Sequence, residues 1–140
     1  PEYEKFIGKH FPIEQFKNEK GENFDVNLLK GKATFINFWS TTCEPCIEEM
    51  PELNRLEENL RNQVNFLGIT FSTKENVAKF LTKHQFSFSL ITDVNYKTLE
   101  TNRITRFPTS LVLDKNGDIK RVIGNVHAED LDIIKKNLTE

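Results

Sequence analysis

The amino-acid sequence predicts an α/β fold with a mixed central sheet, in one domain that spans residues 1–140. Apolar runs typical of buried strands alternate along the chain with apolar stripes at helical spacing. Near the end of the chain, Asn116-Gly117 is a pair that favours a tight hairpin and therefore antiparallel neighbours. No repeat, low-complexity tract or linker rich in Pro, Gly or Ser divides the chain, which supports one compact unit.

The first half of the chain is predicted to hold a hairpin, two strands and a kinked helix. Apolar residues on both sides of the polar stretch 17–23 predict an N-terminal hairpin. The run 33–39 is almost wholly apolar, as expected of a strand buried on both faces. A helical stripe begins at Cys46, and Pro51 should kink that helix because proline lacks the backbone N–H that the helix uses. Residues 64–71 predict a second central strand.

The second half is predicted to continue the alternation and to end in a hairpin and a helix. The predicted elements are a helix, a strand, a short helix, two hairpin strands and a closing helix, at residues 77–84, 88–91, 94–102, 110–113, 119–123 and 131–138. Strands joined through helices run parallel and strands joined by a tight turn run antiparallel, so this order predicts a mixed sheet.

Composition excludes several classes of partner. The net charge of −2 and the lack of a Lys/Arg cluster give no basic surface for nucleic acid or membrane lipid. No apolar stretch approaches the length of a membrane span, and no signal peptide heads the chain. Because the chain opens Pro1-Glu2-Tyr3 without Met, we expect it to be a processed or excised fragment, with any export signal or anchor outside it.

The only two cysteines lie in the segment Cys43-Glu44-Pro45-Cys46, between the first strand and its helix. Two thiols at this spacing can close into a small disulfide ring and reopen. The positive end of the helix lowers the pKa of the first thiol, which makes Cys43 the candidate nucleophile and Cys46 the resolving thiol. The alternatives are an inert pair or half of a zinc site. A zinc site would need two further ligands, and the three histidines are scattered without ligand spacing.

Several short motifs follow one another in a fixed order. They are Gly31-Lys32, Phe38-Trp39, the two cysteines with Glu44-Pro45 between them, Glu49, Met50-Pro51 and Phe107-Pro108-Thr109. In this combination the chain resembles the thioredoxin superfamily, and in particular the bacterial TlpA/ResA-like thiol-disulfide oxidoreductases. The resemblance covers residues 8–138 and includes the N-terminal hairpin and a strand-helix insertion at residues 64–102. It departs at Thr42, where many relatives have an aromatic residue, and at Asn37, where thioredoxin has a buried Asp.

The resemblance implies a thioredoxin-like fold and roles for individual residues. The disulfide would join Cys43 and Cys46. Glu49, one turn beyond Cys46, would be the general base for that thiol, with a pKa raised by a desolvated site. The alternative for Glu49 is an ordinary solvated helix carboxylate. Pro108 would be a cis-proline, and the backbone of Phe107 before it would pair with an extended substrate segment.

Three further residues complete the predicted substrate surface: Trp39, Glu44 and Pro45. Pro45 suits the first helical turn because its φ is already helical. Glu44 either influences how readily Cys43 forms a thiolate or is an ordinary acidic residue in the first turn of a helix. Trp39 is expected to pack beneath the site rather than to take part in the chemistry. No cofactor and no metal is implied.

The function that the resemblance implies is an extracytoplasmic reductant in a bacterial periplasm or cell envelope. Its partners would be protein disulfide or dithiol substrates and an upstream redox partner, without nucleic acid. A peroxiredoxin-like peroxidase is one alternative, but it would need Pro-x-x-x-Thr-x-x-Cys, and Ile36 and Ser40 occupy the Pro and Thr positions. A redox-inactive binding module is another. The intact Cys43 and Cys46 argue against it but are compatible with a structural disulfide.

Overall fold

The computed structural model describes residues 2–17 and 20–140, and the side chains of 4–17 and 20–140. Its centre is a five-stranded mixed sheet in the order β3-β2-β1-β4-β5. The strands are β1 Ala33–Trp39, β2 Val64–Thr70, β3 Ser89–Ile91, β4 Thr109–Leu113 and β5 Ile119–Ile123. The helices are α1 Glu44–Leu60, α2 Lys74–Leu81, α3 Tyr96–Thr101 and α4 Leu131–Thr139. β1, β2 and β3 run parallel, whereas β4 is antiparallel to β1 and to β5. The predicted fold class is therefore confirmed.

The sheet separates two apolar clusters, and β1 contributes to both. Phe35 and Trp39 pack into the cluster that holds the buried faces of α1 and α4. Ile36 and Phe38 pack into the opposite cluster, with the N-terminal segment and α3. Because successive side chains of a strand point to opposite faces, a strand that is buried on both faces must be apolar almost throughout. Thr34 and Asn37 are the two polar residues of β1, and Asn37 shares a face with Phe35 and Trp39.

The N-terminal segment reverses direction, but residues 2–17 and 20–32 do not form the two strands of the predicted hairpin. An antiparallel bridge joins Lys17 to Asn23, and residues 18 and 19 of the predicted polar stretch 17–23 lie outside the described residues. The flanking apolar residues form short 3-10 helices instead, at Ile13–Gln15 and Val26–Leu29.

Local side-chain chemistry explains these short helices. Pro12 precedes the helix Ile13–Gln15 and has no backbone N–H to donate to a neighbouring strand. Asp25 caps the second, because its carboxylate accepts a hydrogen bond from the Asn27 backbone N–H at 2.8 Å. The buried rings of Phe11 and Phe16 stack with their centres 5.4 Å apart. The apolar residues before the polar stretch are therefore buried, whereas Val26 and Leu28 after it are exposed. Pro12 and Asp25 favour the short helices over strands.

The predicted insertion is also present, as β2, α2, β3 and α3. Within it, Gly68 of β2 faces three side chains. A Cβ added at Gly68 would lie 2.8 Å from Leu90 Cδ2, 3.0 Å from Phe86 Cε2 and 3.2 Å from Trp39 Nε1. We expect Gly68→Ala to lower the free energy of unfolding by about 1–3 kcal/mol, because the close-packed core has no room for the methyl group. Urea denaturation measures this change.

Gly124→Ala is the matched control, since nothing lies within 4 Å of a Cβ at that position. The stability of this control should stay close to that of the wild type. A Gly68→Ala variant as stable as the Gly124→Ala variant would contradict the packing argument.

Candidate active site

Cys43 and Cys46 form a disulfide at the start of α1. Their Cα atoms are 5.3 Å apart, within the range usual for disulfides. The Cys43 side chain caps the helix, because its sulfur accepts a hydrogen bond from the Cys46 backbone N–H at 3.2 Å. Cys43 is partly exposed, whereas Cys46 is only 1% exposed. Cys43 is therefore the more accessible residue of the pair, and Cys46 belongs to the core.

The loop before Cys43 is held by the end of the neighbouring strand. The Ser72 Oγ, just beyond β2, accepts a hydrogen bond from the Thr41 backbone N–H at 3.1 Å. On the other side of Cys43, the helix begins with Glu44, and Pro45 lies in its first turn, where the missing proline N–H is not needed. Glu44 and Pro45 are both exposed.

Glu49 is a buried carboxyl, 4% exposed, on the side of α1 that carries Cys46. Its Oε1 accepts a hydrogen bond from the Val126 backbone N–H at 2.9 Å, and its Oε2 accepts one from Asn37 Nδ2 at 3.0 Å. Burial raises the pKa of Glu49 from 4.5 to about 7, although both hydrogen bonds act in the opposite direction. Near neutral pH this carboxyl can therefore both accept and release a proton.

Asn37 connects Glu49 to the sheet. It lies opposite Ser110 in the register of β1 and β4. Its Nδ2 donates one hydrogen bond to Glu49 Oε2 and another to Ser110 Oγ, each at 3.0 Å. All three side chains are buried. An amide at position 37 supplies Glu49 with a donor, where an aspartate would have placed a second acidic group.

The loop before β4 lies at the cysteine end of the sheet. Thr109, the first residue of β4, pairs with Phe38 near the end of β1, and the chain enters α1 soon after β1 ends. The Phe107–Pro108 peptide bond is cis, as the resemblance implied. Pro108 is buried and Phe107 is half-buried. The Thr109 hydroxyl donates a hydrogen bond to the Arg106 carbonyl at 2.7 Å, which fixes the turn.

Trp39 does not contribute to a substrate surface, contrary to the sequence-based assignment. Its side chain is fully buried, with its ring centre 5.4 Å from that of Phe80 and 5.2 Å from that of Phe86. The physical reason is that β1 is covered on both faces up to its last residue. Trp39 instead packs beneath the site, which confirms the expectation that it is a packing residue.

Two residues at the site were not predicted from the sequence. Val126 contributes only its backbone N–H to Glu49. Nearly every residue type has a backbone N–H, so the sequence does not indicate which one donates. Ser110 is a polar residue in the otherwise apolar run that follows Thr109, a signal that could have been noticed because a buried hydroxyl needs a hydrogen-bond partner.

Residues 2–17 and 20–140 contain neither a membrane-spanning helix nor a cluster of metal-binding side chains. None of the helices there is long and apolar enough to cross a membrane. No group of three or more His, Cys, Asp or Glu side chains in those ranges could hold a metal ion.

Comparison with known proteins identifies the family. The model of the AhpC/TSA family matches residues 7–122. The thiol-disulfide oxidoreductase ResA of Geobacillus kaustophilus is 31% identical over 129 residues, which cover 90% of this chain and 74% of that protein.

Solved structures share the fold over most of their length. A thiol:disulfide interchange protein of the thioredoxin family from Chlorobium tepidum superposes with a TM-score of 0.71 at 27% identity, covering 87% of this chain and 90% of that one. The thioredoxin domain of a thiol-disulfide oxidoreductase from Bacteroides vulgatus gives a TM-score of 0.74 at 21% identity, covering 89% and 91%. The chain therefore has a thioredoxin-like fold, belongs to the AhpC/TSA family and is a ResA-like thiol-disulfide oxidoreductase.

Proposed function

We propose that this chain is a single-domain reductant of disulfides in partner proteins, in which Cys43 attacks and Cys46 resolves. The observation that carries the assignment is the unequal burial of the two cysteines, because only a partly exposed cysteine can reach a disulfide in another protein. The helix start supports the same roles, since the Cys46 backbone N–H that donates to the Cys43 sulfur would stabilise a thiolate there.

The exchange takes two steps, and in each of them one S–S bond forms as another breaks. The Cys43 thiolate attacks one sulfur of the partner disulfide, the partner S–S bond breaks, and the second partner sulfur leaves as a thiolate. The Cys46 thiolate then attacks the Cys43 sulfur, and the first partner sulfur leaves with the electron pair. The partner gains two thiols and the chain is left with its disulfide, which an upstream dithiol must reduce.

Glu49 is proposed as the general base for Cys46. The thiol of Cys46 must lose its proton before it can attack, and a buried thiol has no water to take that proton. A carboxyl with a pKa of about 7 on the same side of α1 is matched to this transfer at neutral pH.

The proposed substrate groove is bordered by Phe107 and Pro108 on one side and by Glu44 and Pro45 on the other. An extended segment of the partner would lie along the backbone of Phe107, in the manner of an added strand. This arrangement would bring a cysteine of the segment to Cys43.

The proposed site of action is outside the cytoplasm, in a bacterial periplasm or cell envelope. A Mycobacterium tuberculosis disulfide oxidoreductase with the same fold is described as secreted.

The direction of electron flow is tested by equilibrating the Cys43–Cys46 pair with glutathione buffers. We expect a reduction potential nearer to the value of about −270 mV of thioredoxin than to the value of about −120 mV of a strong oxidant. A value near the oxidant end would contradict the reductant role.

Asn37→Ala is expected to raise the pKa of Glu49 further, because the carboxylate loses the hydrogen bond from Nδ2. A lost hydrogen bond to a charged group corresponds to a shift of about one pH unit. The midpoint near neutral pH in the pH–rate profile of disulfide exchange should move upward by that amount. Ser110→Ala is the matched control, since it removes the other acceptor of Asn37 and leaves both contacts of Glu49 in place. Equal midpoints in Asn37→Ala and wild type would contradict the contribution of this hydrogen bond.

A further inference from the structure

The loop between β5 and α4 supplies one of the two hydrogen bonds that reach Glu49. Val126 in this loop donates its backbone N–H to Glu49 Oε1 at 2.9 Å. Because the donor belongs to the backbone, its direction depends on how the loop itself is held.

Two contacts hold Val126 in place. Its side chain is only 2% exposed and packs in the apolar cluster that holds the buried faces of α1 and α4. One residue further along, the His127 backbone N–H donates a hydrogen bond to Asp130 Oδ2 at 2.8 Å, which fixes the peptide group that follows Val126. Because the bonds of a Cα atom are nearly tetrahedral, a fixed Cβ and a fixed carbonyl carbon together determine where the Val126 nitrogen lies.

Asp130 connects this loop to a helix that the core holds. Its own backbone N–H donates to the His127 carbonyl at 2.9 Å, so the two residues are joined by a pair of hydrogen bonds. Asp130 directly precedes α4, and α4 is anchored in the core by the buried Ile134 and Leu138. A connected path therefore leads from α4 through Asp130, His127 and Val126 to Glu49.

We propose that Asp130 is a positioning residue of the active site, which directs the Val126 N–H at Glu49 Oε1 by accepting the hydrogen bond from His127. The inference rests on the proposed function, because Glu49 is the group proposed to take the proton of Cys46. Asp130 acts through the loop and not on the sulfurs themselves.

The charged surroundings of Glu49 do not compete with this effect. Its pKa is set by burial and by its two hydrogen bonds, and no charged side chain within residues 4–17 and 20–140 contributes to it. The adjacent strands β1 and β4 carry no charged residue. The other elements around Glu49 carry titratable or charged groups that are exposed or half-buried: Glu48 and Glu52 on α1, Arg106 before β4, His127 and Glu129 in the loop, and Asp132 and Lys135 on α4.

The two ways in which Asp130 could act on Glu49 have opposite signs. If Asp130 acted only through its negative charge, its removal would lower the pKa of Glu49, because a like charge disfavours ionisation. If it holds the Val126 N–H in place, its removal raises the pKa, because a hydrogen bond to the carboxylate is weakened. The direction of the shift therefore distinguishes positioning from a charge effect.

The test follows Glu49 directly, through the NMR chemical shift of its carboxyl carbon against pH in the oxidised chain. The signal is assigned by its absence from Glu49→Gln, so His127 does not enter the profile. We expect Asp130→Ala to raise the midpoint by about 0.5–1 pH unit, since the contact from Val126 is weakened rather than removed. The Val126 backbone N–H signal should follow the same titration in the wild type and should respond less in Asp130→Ala.

Two further variants separate the hydrogen bond from the charge. Asp130→Asn loses the charge but keeps an oxygen that can accept from the His127 N–H, so its midpoint should stay at the wild-type value or fall slightly. Asp132→Ala is the matched control, because it removes an exposed carboxylate from the first turn of the same helix. This control should not raise the midpoint.

An unchanged or lower midpoint in Asp130→Ala, or an equal rise in Asp130→Asn, would overturn the positioning role. The rate of the resolving step against pH, measured in the same variants, separates this failure from that of the proposed function. Carboxyl and rate midpoints that rise together in Asp130→Ala support both. A carboxyl midpoint that rises while the rate midpoint stays would support the positioning role and overturn Glu49 as the general base for Cys46.

Discussion

Replacing Cys43 with serine is expected to slow the reduction of insulin disulfides by at least about 10³-fold, because a hydroxyl cannot form the mixed disulfide that starts the exchange. Serine is a favourable helix cap, so the variant should keep the start of α1 and fold normally. Turbidity of the released insulin chains, with dithiothreitol as the final electron donor, measures the rate. Circular dichroism checks the fold of the variant.

Cys46→Ser is the matched variant, since it removes a sulfur from the same ring but leaves the attacking thiol. It should still attack and should accumulate mixed disulfides through Cys43, because the resolving step is lost. Electrophoresis without reductant shows such adducts. Equal trapping by the two variants, or insulin reduction that survives in Cys43→Ser, would show that the roles of the two cysteines are assigned wrongly.

Glu49→Gln is expected to slow the resolving step by about 10²-fold near neutral pH, because the proton of Cys46 loses its acceptor. Gln nearly preserves the shape of the side chain, so the disulfide should still form. The rate of the wild type should rise with pH as Glu49 loses its proton at a pKa of about 7, and this rise should be absent from the variant. Single-turnover kinetics of the mixed disulfide, followed against pH, measure both effects.

The same carboxyl should also make stability depend on pH. The pKa of Glu49 is 4.5 in its ordinary state and about 7 in the folded oxidised chain. Between these values the folded chain holds a proton that the unfolded chain has released. The stabilising contribution is therefore complete below about pH 4.5 and is lost as the pH rises through about 7, by up to about 3 kcal/mol.

Urea denaturation at about pH 5 and about pH 8 measures this loss in the oxidised protein. In Glu49→Gln, the free energy of unfolding should decline less between these two pH values, because the titration of Glu49 is absent. Glu48→Gln, at the exposed neighbouring position, should show the same decline as the wild type. Parallel declines in wild type and Glu49→Gln would mean that Glu49 does not titrate in this range, and would remove the basis for its role as a base.

The parts of the fold that could be predicted from the sequence are those in which local pattern and tertiary burial agree. β1 was predictable because a strand covered on both faces has to be apolar at nearly every position. The N-terminal segment was not, since its apolar residues only indicate burial while Pro12 and Asp25 select short helices.

The site divides in the same way. The two cysteines are neighbours in the sequence, so their disulfide and its place at a helix start could be predicted from local spacing. The hydrogen bond between Glu49 and Val126 joins residues 77 positions apart, and such contacts depend on the folded packing. Trp39 was assigned to the substrate surface and was also expected to pack beneath the site, and its complete burial confirms only the packing.

The most direct test of the central claim, that Cys43 is the attacking thiol, is the rate at which each cysteine of the reduced chain reacts with iodoacetamide. A short exposure at about pH 7, followed by peptide mass spectrometry, gives both rates in one sample. The account predicts that Cys43 is modified at least about tenfold faster, with a pKa below the value of about 8.5 of a free cysteine. Modification of Cys46 at an equal or greater rate would contradict it.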